Sequence, residues 1–180
     1  MQRKIFISIN LSPRTKKSLT RAIFKWQDLP VKWVKEPNLH ITLSFLGHIN
    51  DSVIPEICEK VRTAVSGFEM MDLAFTRIEL ASTKDDPRLV WLTGEPSEEL
   101  KSLHEAIEKT LGIFVSDKKS FRPHITLGKI RQKKWQALPE VPVIEKDFPL
   151  QVTVESVDVM ASEFEGDGME YTTIESCPLK

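Results

Sequence analysis

The tetrapeptide His-Ile-Thr-Leu occurs twice, at residues 40–43 and at residues 124–127. The copies use half of the chain's four histidines and are separated by close to half of its 180 residues. Side chains on a strand alternate between its two faces. His40 and Thr42 therefore share one face and Ile41 and Leu43 the other, and the second copy places His124, Thr126, Ile125 and Leu127 the same way. Each copy offers an imidazole and a hydroxyl on its polar side and pins an apolar side into a core. A duplicated lobe with pseudo-twofold symmetry would bring both histidine faces to one central groove. A lone histidine in a strand is most often a packing or surface residue. The matching threonines and matching apolar backs favour a site.

The rest of the chain reads as alternating strands and helices. Ile5, Ile7 and Ile9 alternate with Phe6 and Ser8 in an opening strand. Ser12 followed by Pro13 starts a helix that should run to about Asp28. Val31–Val34 reads as a strand, and Gly47 should close the first histidine strand, leaving His48 in a turn. Asp51 or Ser52 caps a second helix with Ile54, Ile57, Cys58, Val61 and Val65 at helical spacing, stopped by Gly67. Phe68–Leu80 and Leu89–Leu92 read as strands around a charged turn at Lys84–Arg88. Ser97 caps a third helix with Leu100, Leu103, Ile107 and Leu111 as its buried stripe, and Gly112 ends it. Residues 131–146 form a charged, proline-punctuated connection docked by Trp135 and Leu138. Two last strands form a hairpin about Gly166 and Gly168. The predicted class is α+β, a single domain over residues 1–180 made of two intertwined lobes.

Composition narrows the function classes. The formal net charge is −1, so attraction for an anion must be local. The two cysteines, Cys58 and Cys177, make neither a disulfide framework nor a zinc site and suit a reducing compartment. Met1–Asn10 reads as a strand rather than a leader peptide, and no apolar run has the length of a membrane span. These features predict a cytoplasmic protein with no membrane partner, acting as a monomer.

Two histidines in one cleft can act as general acid and general base in one turnover. In-line displacement at phosphorus suits that pairing: one imidazole takes a proton from water while the other protonates the departing alkoxide. Thr42 and Thr126 could donate to the non-bridging oxygens. Nothing in the motifs calls for a metal or a cofactor: there is no His-Glu-x-x-His, no paired cysteines and no glycine-rich phosphate loop. Lys118, Lys119, Arg122, Lys129, Arg131, Lys133 and Lys134 surround the second copy, against Asp117 alone. Arg122 stands two residues before His124 and is a candidate phosphate contact; the remaining lysines suit a solvated loop. Phe6, Phe45, Trp91 and Phe121 could stack a base, although core packing is the commoner role of each. His48 and His104 lack the threonine and read as structural or solvated. Tyr171 is open to either a core or a cleft role.

The chain resembles the 2H phosphoesterases, and among them the RNA 2′,3′-cyclic phosphodiesterases, also called 2′-5′ RNA ligases. The resemblance rests on Phe6-Ile7-Ser8-Ile9, Trp33-Val34, Asn38 to Leu43 with Phe45-Leu46-Gly47, Phe121 to Leu127, and the Ser162–Tyr171 hairpin. It implies a bilobal pseudo-twofold fold with two antiparallel sheets lining a central cleft and helices outside. It also implies metal-independent hydrolysis of RNA 2′,3′-cyclic phosphate ends, or of small cyclic nucleotides, to 2′-phosphomonoesters, with 2′-5′ joining as the reverse reaction. By analogy His40 would be the proton donor and His124 the proton acceptor, although pseudo-symmetry alone allows the reverse. Lys129 stands where the family often carries arginine, which keeps the charge and loses the planar fork. The alternatives are a cyclic phosphodiesterase of 2′-5′ oligoadenylate or ADP-ribose cyclic phosphate, and a non-catalytic RNA-binding module.

Overall fold

A computed structural model describes residues 1–82, 86–114 and 121–180. The strands are β1 (Gln2–Asn10), β2 (Val31–Trp33), β3 (His40–Asn50), β4 (Met71–Ser82), β5 (Pro87–Gly94), β6 (His124–Ile130), β7 (Glu145–Val154), β8 (Ser156–Glu165) and β9 (Gly168–Pro178). The helices are α1 (Pro13–Ile23), α2 (Ile54–Val65), α3 (Glu98–Leu111) and the short α4 (Gln132–Gln136). Two antiparallel sheets result, in the orders β3-β1-β8-β9 and β2-β6-β5-β4-β7. Sequence order is interleaved between them: β2 crosses into the second sheet, and the C-terminal β8 and β9 return to the first. One buried cluster draws Ile5, Ile7, Ile41 and Val159 from the first sheet and Ile78, Leu92, Ile125 and Leu127 from the second. Burial of such side chains contributes about 1.5–3 kcal/mol each.

The repeat is structural as well as textual. His40 begins β3 in one sheet and His124 begins β6 in the other. Along β3, Ile7 lies opposite Ser44 and Ser8 opposite Thr42, so Leu43 is an extra residue, a β-bulge. Along β6, Val90 lies opposite Gly128 and Trp91 opposite Thr126, so Leu127 is the extra residue. Both copies therefore bulge at their leucine. Residues 40–46 and 124–130 consequently share one burial pattern: His and Thr half-buried, Ile and Leu buried, the next residue also buried, then one exposed and one buried. The exposed pair is Phe45 in one lobe and Lys129 in the other.

Several expected boundaries move. Helix α1 starts as read, with Ser12 Oγ accepting from Thr15 N at 3.2 Å, but stops at Ile23 and continues as a tight turn over Phe24–Trp26. Gly47 does not end β3: it takes φ 77° within the strand, and His48 is an exposed strand residue paired with Lys4. A glycine reaches that backbone region without steric cost, so a strand can bend there and go on. Neither Asp51 nor Ser52 caps α2. Asn50 Oδ1 instead accepts from Ser52 N at 3.1 Å, closing a 3₁₀ turn over Asp51–Val53 that leads into the helix. Ser97 and Gly112 bound α3 as expected, Ser97 Oγ accepting from Leu100 N at 3.1 Å and Gly112 adopting φ 52°. Trp135 is buried on α4 and docks the 131–146 connection. Of the charged turn expected at 84–88, Pro87 and Arg88 instead open β5, while Lys84 and Asp85, like Asp117, Lys118 and Lys119, lie outside the described residues.

Candidate active site

Both imidazoles are held by the same device. His40 Nδ1 lies 2.6 Å from the carbonyl oxygen of Asn38, and His124 Nδ1 lies 2.6 Å from that of Arg122. A carbonyl only accepts, so each Nδ1 must carry the proton. Each neutral ring then keeps its lone pair on Nε2, the nitrogen left for chemistry. His40 Nε2 is 2.8 Å from Thr42 Oγ1, whose hydroxyl donates to it in the neutral state. Asn38 is fixed in turn: its Nδ2 donates to Met169 O at 2.8 Å, tying the turn before β3 to the tip of the β8–β9 hairpin.

The rings also stand on aromatic walls. His40 packs against Phe6 (5.1 Å between centroids) and edge-on against Tyr171 (5.4 Å), while His124 stacks on Trp91 at 3.9 Å. Burial holds the His40 imidazole below the usual histidine range, and the charges of Lys16 and His124 add to this against the opposing Asn38 carbonyl. Burial likewise lowers His124, helped by Arg122 and opposed by the Arg122 carbonyl. Both rings are therefore set to be neutral in the unliganded site, and a bound anion would draw protons back onto them.

The two motifs meet at one cavity of about 170 Å³, lined by His40, Thr42, His124 and Thr126 together with Lys4, Phe6, Val34, Phe45, Ser162 and Tyr171. A second cavity of about 420 Å³ shares Thr42, Phe45, His124 and Thr126 with the first and extends to Trp91, Phe121 and Arg122. Arg122 reaches this second space from an exposed position, its guanidinium 3.9 Å from Glu79 Oε1. Phe6 is 3% exposed, so its contact with the first cavity is a ring edge in a packed wall. Lys129 is exposed on β6 and lies outside the lining of both cavities. Among the described residues no group of three or more His, Cys, Asp or Glu side chains could hold a metal ion, and no helix is long and apolar enough to cross a membrane.

Lys4 and Ser162 were not foreseen from the sequence, and Tyr171, open there between core and cleft, lines the cleft. Lys4 and Ser162 are cross-strand partners, as are Ser162 and Tyr171, so the three form a row across β1, β8 and β9. Strand alternation does place Lys4 with Phe6 on one face; the pairing of β8 beside β1 was not readable. Burial pushes the Tyr171 hydroxyl up from its ordinary value, leaving a neutral donor on the cleft wall.

A cleft between two interleaved antiparallel sheets, each contributing one His-x-Thr pair, defines the bilobal two-histidine phosphoesterase fold. The chain belongs to the 2′-5′ RNA ligase superfamily, whose profile matches residues 16–163. It is 30% identical to the RNA 2′,3′-cyclic phosphodiesterase of Thermotoga maritima over 98% of this chain and 96% of that protein. It is 24% identical to the Methanothermobacter thermautotrophicus protein of the same name, over 97% and 98%. Among solved structures, TT0787 of Thermus thermophilus superposes with a TM-score of 0.81 at 23% identity, over 98% of this chain and 97% of that one. E. coli LigT in complex with 3′-AMP superposes at 0.78 and 21%, over 99% of each chain.

Proposed function

We propose that the protein hydrolyses RNA 2′,3′-cyclic phosphate ends to 2′-phosphomonoesters, using His40 and His124 as an acid–base pair without a metal. The observation that carries this reading is the shared small cavity: two imidazoles with protonated Nδ1, two threonine hydroxyls, and room for one small anion. In the proposed step His124 Nε2 takes a proton from water as its oxygen bonds to phosphorus. The bond from phosphorus to O3′ breaks, and protonated His40 Nε2 gives O3′ its proton. His124 leaves the turnover protonated and His40 neutral, and exchange with solvent resets both. Thr42 and Thr126 donate to the non-bridging oxygens as charge builds there. Thr42 surrenders its resting bond to His40 to do so.

Arg122, beside the same histidine, supplies positive charge to the anion, and Lys129 acts at longer range on the strand that carries His124. Phe6 bounds the ribose side of the cavity. With a 5′-hydroxyl in place of water, the same displacement forms a 2′-5′ diester. Residues 1–180 act as one domain of two intertwined lobes, because neither lobe alone contains both imidazoles. The test is to incubate the protein with an oligonucleotide ending in a 2′,3′-cyclic phosphate, with EDTA present, and identify the product. A 2′-phosphate is expected. Intact ring across neutral pH contradicts the reading, and a 3′-phosphate contradicts the assignment of the leaving oxygen. Parallel rates on 2′-5′ oligoadenylate and ADP-ribose cyclic phosphate set the substrate class.

A further inference from the structure

The 170 Å³ space suits a phosphate and little more, whereas the adjoining cavity of about 420 Å³ falls in the range of small-molecule sites. The two share Thr42, Phe45, His124 and Thr126, so a group attached to a phosphate held between the histidines passes directly from one into the other. The larger space is walled by rings. Phe45 stands at the junction with 46% of its surface exposed, its ring tilted at 6.3 Å from that of Phe6. Trp91 and Phe121 each stack on a histidine, on His124 at 3.9 Å and on His104 at 4.2 Å.

The same wall holds one acid, Glu108 on α3, whose side chain is 25% exposed. His104 lies one helical turn before it and is 7% exposed; its Nε2 is 3.3 Å from Glu108 Oε1. This contact leaves the carboxylate most of its acceptor capacity, since an ionised carboxylate has about four acceptor positions. An aromatic-walled slot with a carboxylate acceptor at its edge suits a planar heterocycle that carries N–H donors. Guanine is the nucleobase whose Watson–Crick edge sets two N–H donors side by side, the complement of a carboxylate's two oxygens. Adenine and cytosine offer one amino group each there, and uracil a single ring N–H.

We infer that this cavity is a nucleobase subsite for the terminal nucleotide, with Phe45 as its stacking platform and Glu108 as a specificity-determining acceptor that favours guanine. The inference rests on the cyclic phosphodiesterase reading and adds a base preference to it. Two measurements decide it. The first is calorimetric binding of guanosine and adenosine 2′-monophosphates, with inorganic phosphate as the probe of the small cavity alone. The second is kcat/KM on short oligonucleotides that end in guanosine or adenosine 2′,3′-cyclic phosphate.

The wild type should favour guanine by at least about fivefold in both assays, the lower range of discrimination for one bidentate pair. Glu108→Gln should bring the guanine-to-adenine ratio to within about twofold of one while phosphate binding holds. Phe45→Ala should weaken both nucleotides together and by more than it weakens phosphate, since Phe45 borders the small cavity as well. Equal affinity for the two nucleotides in the wild type overturns the inference, as does a Glu108→Gln loss that is the same for both bases. Ring opening at equal rates for all bases sinks the subsite and spares the phosphodiesterase. Absence of ring opening sinks the phosphodiesterase, and the calorimetric ratio still decides whether the slot reads guanine.

Discussion

The position of His124 depends on a glycine that does not touch it. Gly94 ends β5, and its N–H donates to Pro123 O at 2.9 Å. A Cβ at this position would lie 2.9 Å from Pro123 Cβ, 3.1 Å from Pro123 O and 3.1 Å from Phe75 Cε1. Ordinary carbon contacts begin near 3.5 Å, so Gly94→Ala must push Pro123 away by about half an ångström. Neither a proline ring nor a backbone carbonyl can swing aside as a flexible side chain would. Pro123 sits between Arg122, whose carbonyl orients the imidazole, and His124 itself, so the push is passed to the His124 ring. Overpacking of this kind costs about 1–3 kcal/mol of stability. A displacement near 1 Å at a reacting group can cost about 10²-fold in rate, so roughly tenfold is expected for half that.

Urea unfolding measures the first effect, and kcat on a cyclic-phosphate end measures the second. Gly67→Ala is the control, because a Cβ there meets nothing within 4 Å and its φ is not positive. It should match the wild type in rate and gain stability of about 0.4–1 kcal/mol. Full stability and full rate in Gly94→Ala would refute the reasoning. Lost stability with full rate would show that Pro123 yields without moving His124.

His40→Ala and His124→Ala should each lower ring opening by about 10²–10⁴-fold while the circular dichroism spectrum holds, and the double variant should be little slower than either single one. Because burial lowers both histidines, each folded pKa lies below the unfolded value of about 6.5, so the stability these groups contribute is full above that value. It should fall as pH drops, because the unfolded chain binds protons first; urea midpoints from pH 8 to 5 should decline less steeply in the double alanine variant. Gly128→Ala would place a Cβ 2.5 Å from Val31 Cγ1 and 2.9 Å from Trp33 Cε3, so it should detach β2 from β6 and cost about 1–3 kcal/mol, read by thermal unfolding. EDTA at millimolar concentration should leave the ring-opening rate unchanged.

The duplicated motif was legible because strand periodicity turns four letters into a statement about faces. His40 and Thr42 point one way and Ile41 and Leu43 the other, and the second copy obeys the same rule. Caps at Ser12 and Ser97 were legible for a similarly local reason. What pins the imidazoles was not. The carbonyls of Asn38 and Arg122 are backbone groups that every residue carries, and only the fold decides which one meets a ring. Gly47 was read as a stop because a glycine at positive φ serves turns and bulged strands alike. Lys4, Ser162 and Tyr171 meet through the placement of β8 between β1 and β9, a long-range pairing that no local pattern encodes. Arg122 and Pro123 precede β6, so strand alternation does not govern them; Arg122 reaches the second cavity from that segment, and its ion pair with Glu79 on β4 is again a product of sheet order.

In the proposed reaction one phosphate touches two rings at once. Side-chain nitrogen NMR of the histidines during titration with a nucleoside 2′-monophosphate tests this directly. Nε2 of His40 and Nε2 of His124 should shift together with a single midpoint, both moving toward the protonated form, while His48 stays still. A shift confined to one ring, or two separate midpoints, would contradict a shared site.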